Sequence, residues 1–286
     1  MALIRLRESG NALVIGCGYI GLPLALELKK RFTVSAWVHS EATASSLAGH
    51  GFAQVIVGNV ADTKTWESAK LASNLVIHCA SSARGGEAAY EEVFVQGAKR
   101  VCAHLPDARK IFVSSTSVYG QNDGAVVAEQ SPAEPSTATG KLLREAETIA
   151  LGGGATVVRS SGIYGPGRGV LFEKFKRGEA MIEGDGSRWT NQIHQRDLVS
   201  ALVHLIDEGQ YGQVYNASDD TPVMQRDYYA WCAEFLEQAL PPFGPVNTQR
   251  KRGLTNKRVS NAKLRATGWA PIYPSFREGI AATETK

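Results

Sequence analysis

Cysteine is scarce in this chain, and its spacing pairs nothing. Four cysteines, Cys17, Cys79, Cys102 and Cys232, are scattered through 286 residues, with no C-x-x-C pair and no histidine cluster beside them. That argues against a disulfide framework and against a metal site, and it fits a reducing, cytoplasmic setting. Long apolar runs are lacking too: none reaches the roughly 18 residues that a membrane span needs. The apolar stretch behind Arg5 and Arg7 is broken by three glycines and Pro23. No small-residue cleavage site follows it before Lys29-Lys30-Arg31, so it does not read as a signal peptide. Charge of one sign is also missing. A net charge of +3 gives no electrostatic footprint for nucleic acid or a membrane surface. There is no internal repeat, no low-complexity segment and no G-x-S-x-G elbow, so Ser115, His194 and Asp197 do not read as a hydrolase triad. Thr139-Gly140-Lys141 lacks the upstream glycine of a phosphate loop and is followed by Leu142.

What is present is an ordinary globular composition, 43% apolar and 21% charged, long enough for one large or two modest domains. Near its start an apolar, strand-like run enters Gly16-Cys17-Gly18-Tyr19-Ile20-Gly21 and opens into a helix-like stretch. Gly16, Gly18 and Gly21 fit the dinucleotide fingerprint G-x-G-x-x-G. Its glycines serve a tight turn, close approach of backbone to a pyrophosphate, and helix-on-strand packing. The helix start offers unpaired N–H groups to an anion, and Pro23 in its first turn costs little. Alone, the motif also fits a tightly packed turn that binds nothing.

Strand and helix patterns then alternate, which predicts a doubly wound parallel sheet of repeated β-α units. Strands are expected at Thr33–Val38, Val55–Val60, Leu75–Cys79, Ile111–Ser115 and Ala155–Arg159. Helices are expected at Ala88–Leu105 and Lys141–Leu151. The second half loses this rhythm. Helices are expected at Val170–Arg177, at Asp197–Asp207, and from an N-cap at Thr221 with Pro222 in the first turn to about Leu240. In the last of these, Met224, Tyr228, Trp231, Phe235 and Ala239 read as core. Arg250-Lys251-Arg252 and Lys257-Arg258 read as a solvated basic loop, with contact to an anionic substrate as the sharper alternative. His78, ending a buried strand, reads as a satisfied structural histidine. His194 and Asp197 read as fixing the approach to their helix.

Five features fall in one order along the chain: the glycine turn, Gly58-Asn59-Val60, His78-Cys79-Ala80, Ser114 to Gly120, and Gly162 to Arg168. Together with Asn191 to Leu198 and Val214 to Ala217, they make the chain resemble the extended short-chain dehydrogenase/reductase superfamily, the NAD-dependent epimerase/dehydratase group. The resemblance implies a Rossmann-type α/β fold. A dinucleotide-binding domain would span residues 1–165, and a smaller substrate-binding part would span 166–286, with some segments returning to the first. It implies NAD(P) bound by Gly16, Gly18, Tyr19, Ile20, Gly21, His39, Ser40, Asn59, Val60, Ala80, Ser81 and Lys141. Ser115 matches the serine that hydrogen-bonds the reacting oxygen. Lys141 matches the lysine that grips the nicotinamide ribose and tunes the catalytic tyrosine. Ser117, Tyr164 and Arg168 fall at substrate-contacting positions.

The departure is at the tyrosine of the family's Tyr-x-x-x-Lys motif, where this chain has Thr137. An aliphatic hydroxyl is a far weaker acid than a phenol of pKa near 10 and does not replace it as a proton relay. Thr137 reads instead as a helix cap or a holder of water. Tyr119, Tyr164 and a desolvated Lys141 are the candidate replacements. The strand before His39-Ser40 ends without a carboxylate in the slot that NAD binders use, Glu41 being late, and this points to NADP over NAD. The expected protein is an oxidoreductase, epimerase or dehydratase acting on a small carbonyl or sugar-like compound by atypical catalysis. A dinucleotide sensor without turnover is the alternative. Nucleic-acid and membrane partners are not expected, whereas the resemblance allows a homodimer.

Overall fold

Strands buried on both faces read as near-continuous apolar runs, and the chain sets such strands in the middle of a seven-stranded sheet. A computed structural model describes residues 10–83, 85–247 and 255–284. The strands are β1 (Gly10–Ile15), β2 (Phe32–Val38), β3 (Gln54–Val57), β4 (Leu75–His78), β5 (Arg109–Ser115), β6 (Thr156–Ser160) and β7 (Val214–Ala217). Their order is β7-β6-β5-β4-β1-β2-β3. The pairs β1–β2, β2–β3, β1–β4 and β4–β5 are parallel. Val14 of β1 lies level with Ala36 on one side and Ile77 on the other, and all three are fully buried. Strand order reverses at β1 and β4, so the loops leaving these two strands flank the switch point where doubly wound sheets bind ligands.

The expected strands are all found, with shifted ends. β3 stops at Val57 rather than Val60, because two indoles capture the carbonyls beyond it. Trp37 Nε1 donates to the Gly58 carbonyl at 2.9 Å and Trp66 Nε1 to that of Val60 at 2.8 Å. Their rings lie 4.6 Å apart, in one core with Leu13, Ile56 and Val76. β4 ends at His78, although the Cys79 amide still donates to the Ile15 carbonyl. The helix expected from Ala88 is a run of three segments: α-helical Glu87–Tyr90, π-helical Glu91–Gln96 and α-helical Gly97–His104. The helix that carries Lys141 spans Ala138–Gly152.

The chain divides into two compact units. One gathers residues 1–118, 134–159 and 199–215; the other gathers 119–133, 160–198 and 216–286. The division thus falls at 159/160 rather than 165/166, and residues 119–133 go with the second unit. The second unit has its own core, in which Tyr164, Phe172, Phe175, Ile182, Tyr228, Tyr229 and Phe276 are buried together. The helix expected from Thr221 is shorter. Val223–Met224 pairs antiparallel with Trp189–Thr190, so the helix runs only over Gln225–Phe235. The Thr221 hydroxyl donates to the Pro274 carbonyl instead of capping. Ala239 lies beyond the helix end and is exposed, while Tyr228 is buried as expected. Arg5, Arg7 and residues 250–252 of the basic loop lie outside the described residues. Among the described residues, no helix is long and apolar enough to cross a membrane.

Candidate dinucleotide site and catalytic positions

Within the first unit, the three glycines of the turn after β1 meet three different environments. Gly16 has φ of +90°, and a Cβ there would lie 2.3 Å from Cα of Ala80, the residue that leaves β4. Only glycine takes that backbone conformation at no steric cost. A Cβ on Gly21, the first residue of helix Gly21–Leu28, would lie 2.1 Å from the Gly16 carbonyl oxygen, so helix and turn touch backbone to backbone. A Cβ on Gly18 would meet nothing within 4 Å. Gly18 is exposed on the turn, with its amide on the Gly16 carbonyl at 2.8 Å. Two glycines are therefore needed by the fold, and the third leaves open space beside the backbone, a cradle that suits a pyrophosphate. Tyr19 is half-buried and Ile20 buried at the same turn. Burial pushes the Cys17 thiol up to about 12, which makes it unreactive.

The other cofactor candidates sit at the carboxyl ends of neighbouring strands. His39 and Ser40 follow β2 and are exposed; Ser40 caps helix Glu41–Ser46, its Oγ accepting the Thr43 amide at 3.3 Å. Asn59 follows β3. Its Oδ1 accepts the Ala61 amide at 2.9 Å, and its Nδ2 donates to Glu92 at 3.2 Å. Val60 is buried in the Trp37–Trp66 core. Ala80 is half-buried and Ser81 exposed after β4. Ser115 ends β5, and its hydroxyl accepts the Ser117 amide at 3.1 Å, leaving its own O–H to donate; Ser117 is exposed.

Thr137 is not on the helix face with Lys141. Its backbone is extended (φ −87°, ψ 148°) and its Oγ1 accepts the Gly140 amide at 3.1 Å, which makes it the N-cap. Lys141, in the first turns of that helix, is exposed. The helix itself is clamped by a buried charge network. Glu147 accepts from Arg159 Nε at 2.9 Å, from Arg159 Nη2 at 2.7 Å and from Ser114 Oγ at 2.6 Å, while Arg144 reaches it at 3.4 Å. This ties β5, one residue before Ser115, to β6 and to the helix of Lys141. Sequence inspection missed it, because Glu147 looks like a surface residue of an amphipathic helix.

Both replacement tyrosines are spent on the fold of the second unit. Tyr119 is fully buried, and its hydroxyl donates to Asn216 Oδ1 at 2.9 Å. Tyr164 is 3% exposed, and its hydroxyl donates to the Ser275 carbonyl at 3.3 Å. Burial, with the Asp219 and Asp197 carboxylates behind it, pushes the Tyr164 phenol well up. That corrects its reading as a substrate contact or acid. Arg168 is exposed, and its backbone exchanges two hydrogen bonds with Gly165.

Asp197 is buried and accepts the Ile272 and Tyr273 amides, so it anchors the C-terminal segment. Burial lifts its carboxyl to about 6. His194 Nδ1 accepts the Arg196 amide at 3.1 Å, and burial holds its ring near pKa 4. His78 corrects the expectation of a satisfied histidine. It is buried against Phe112, neither ring nitrogen has a hydrogen-bond partner among the described residues, and burial lowers its pKa to about 4. Lys257 corrects the solvated basic loop, since it is only 4% exposed.

The comparisons with known proteins agree with this architecture. A family model described as the NAD dependent epimerase/dehydratase family matches residues 12–218. Protein YeeZ of Escherichia coli (strain K12) is 28% identical over 261 residues, covering 87% of this chain and 92% of that protein. Two solved structures share the fold. The dTDP-glucose 4,6-dehydratase of Bacillus anthracis, in complex with NAD, matches with a TM-score of 0.80 at 18% identity, over 96% of this chain and 95% of that one. The UDP-glucose 4-epimerase of Thermotoga maritima, with UDP-glucose, matches with a TM-score of 0.81 at 19% identity, over 96% of this chain and 97% of that one.

Proposed function

The chain belongs to the NAD-dependent epimerase/dehydratase family, and on that premise we propose that it binds NAD(P) at the glycine turn and converts a small carbonyl or sugar-like compound by a route that uses no tyrosine at position 137. The observation that carries the reading is the open space beside Gly18, between two glycines that the fold cannot replace. Gly16 and Gly21 hold the turn, the Gly18 backbone and the N-terminal end of helix Gly21–Leu28 would hold the pyrophosphate, and Asn59 and Val60 would hold the adenine. The bound nicotinamide supplies or takes up a hydride. In this reading Ser115 donates its free O–H to the reacting oxygen and Lys141 holds the ribose. Thr137 serves the helix and moves no proton. Ser117 remains for contact with substrate, since it is exposed.

NADP stands ahead of NAD, because the end of β2 presents His39 and Ser40, which donate to a 2′-phosphate, where a carboxylate would repel it. The NAD of the Bacillus anthracis structure supports the ligand class and leaves that choice to β2. A second reading, a dinucleotide sensor without turnover, is favoured by the single fact that the Thr137 hydroxyl is committed to the cap. Turnover across a panel of carbonyl and nucleotide-sugar compounds, followed by nicotinamide absorbance, separates the two. Turnover lost in Lys141→Ala supports the enzyme. Tight dinucleotide binding with no turnover on any compound supports the sensor.

A further inference from the structure

Lys257 is a buried cation. The residue is 4% exposed, and Nζ donates to the Tyr119 carbonyl at 3.2 Å and to Thr255 Oγ1 at 2.5 Å. Among the described residues no carboxylate pairs with it, and burial alone lowers its pKa to about 8. Arg258, the next residue, has no acidic partner there either: Nε donates to the Gly124 carbonyl at 2.9 Å, and the guanidinium lies 5.2 Å from the centre of the Trp189 ring. A buried ammonium without an anion carries a desolvation cost that a bound anion offsets.

The donors still unspent define which anion fits. An ammonium has three N–H groups, and two of these go to Tyr119 and Thr255. Thr255 accepts from Lys257 and keeps its own O–H. One N–H and one O–H on adjacent atoms therefore remain, with no acceptor for them among the described residues. Two donors and one positive charge match the two oxygens and single charge of a carboxylate. A diphosphate brings more charge than this pair can balance. Thr255 is partly exposed, so the pair is not sealed from solvent.

We propose that Lys257 and Thr255 form a carboxylate-binding subsite in the second unit. The subsite does not depend on the dinucleotide reading above. The test is saturation-transfer NMR on the full chain, with pyruvate, acetate and inorganic pyrophosphate as probes. The expected result is that pyruvate and acetate bind and pyrophosphate does not compete. Lys257→Met and Thr255→Val should each weaken pyruvate at least tenfold, with an unchanged thermal melt. If Lys257→Met fails to fold, Thr255→Val, at a partly exposed position, carries the test. No binding of pyruvate to the parent chain, equal binding by the folded variants, or displacement by pyrophosphate overturns the subsite. Dinucleotide titration of the same samples keeps the two ideas apart: binding lost in the parent chain sinks the cofactor reading, whereas binding retained beside pyruvate-blind variants leaves it intact.

Discussion

The Lys141 amide donates to the Thr137 carbonyl at 3.0 Å, while the Thr137 hydroxyl accepts the Gly140 amide at 3.1 Å. The residue in the tyrosine position is thereby the N-cap of the helix that carries the lysine. The two do not share a face of it. Removing such a cap costs about 1 kcal/mol. Thr137→Ala is expected to lose about that much in urea denaturation, and Thr137→Ser to stay near the parent chain. Dinucleotide affinity should hold within about twofold in both. A Thr137→Ala chain with full stability and no turnover would instead make Thr137 a catalytic group.

Tyr119 offers a second check on where the proton comes from. Tyr119→Phe removes one buried hydrogen bond and leaves Asn216 Oδ1 without that donor, at a cost of about 1–2 kcal/mol. Turnover and its pH profile should not move. A fall of about a hundredfold or more, the size of a lost general acid, would contradict the packing role.

The buried Glu147–Arg159 pair makes a stability prediction. Arg159→Met removes the buried cation from the fully buried Glu147 carboxylate, leaving it Ser114 and the more distant Arg144, and single loss of a buried partner typically costs about 3–5 kcal/mol. Glu147→Leu should be similarly harmful, and the double variant should recover a large part of the loss. A double-mutant cycle in urea measures this, and strictly additive losses would show that the pair is uncoupled.

Acid sensitivity follows from His78 and His194. Both are held neutral, with folded pKa values of about 4 against about 6.5 when unfolded. Below pH 6.5 the unfolded chain takes up protons that the folded chain refuses, so stability falls as pH drops from about 6.5 to 4 and levels off below. Asp197 acts in the opposite direction. Its folded pKa of about 6 exceeds the unfolded value of about 3.9, so its contribution improves as pH falls through 6. It offsets about one of the two histidine protons. Replacing His78 by Phe, a ring of similar shape among Phe94 and Phe112, should flatten the pH dependence by about one proton in that window. Urea titrations at several pH values check it; an unchanged slope would mean that His78 finds a partner in solution.

The sheet was legible in the sequence because strands such as Leu75–His78, buried on both faces, leave an unbroken apolar signature. The glycine turn was legible because only glycine fits beside Ala80. Partners remote in sequence were not. Thr221-Pro222 carries every local mark of a helix start, yet pairing of Val223–Met224 with Trp189–Thr190 moves that start to Gln225. Lys257 stands in a basic run that reads as solvated, and only Tyr119, far away in the chain, shows that it is buried. Glu147 looks like a solvent-facing residue until Arg159 and Ser114 are placed beside it. Tyr164 sits in a motif that resembles a substrate loop, and the packing of Phe276 and Gly279 claims it for the core.

The most direct test of the account is calorimetric titration of NADP and NAD into the parent chain, Gly18→Ala and Gly21→Ala. The open space at Gly18 predicts that Gly18→Ala keeps its stability within about 0.5 kcal/mol. It should lose at least about tenfold in dinucleotide affinity, or about 1.4 kcal/mol. Gly21→Ala should unfold more easily, by about 1–3 kcal/mol, because its Cβ meets backbone. Binding of NADP by the parent chain, weakened in a stable Gly18→Ala, is the predicted result. A parent chain that binds neither dinucleotide, or a Gly18→Ala chain that binds as well as the parent, would contradict it.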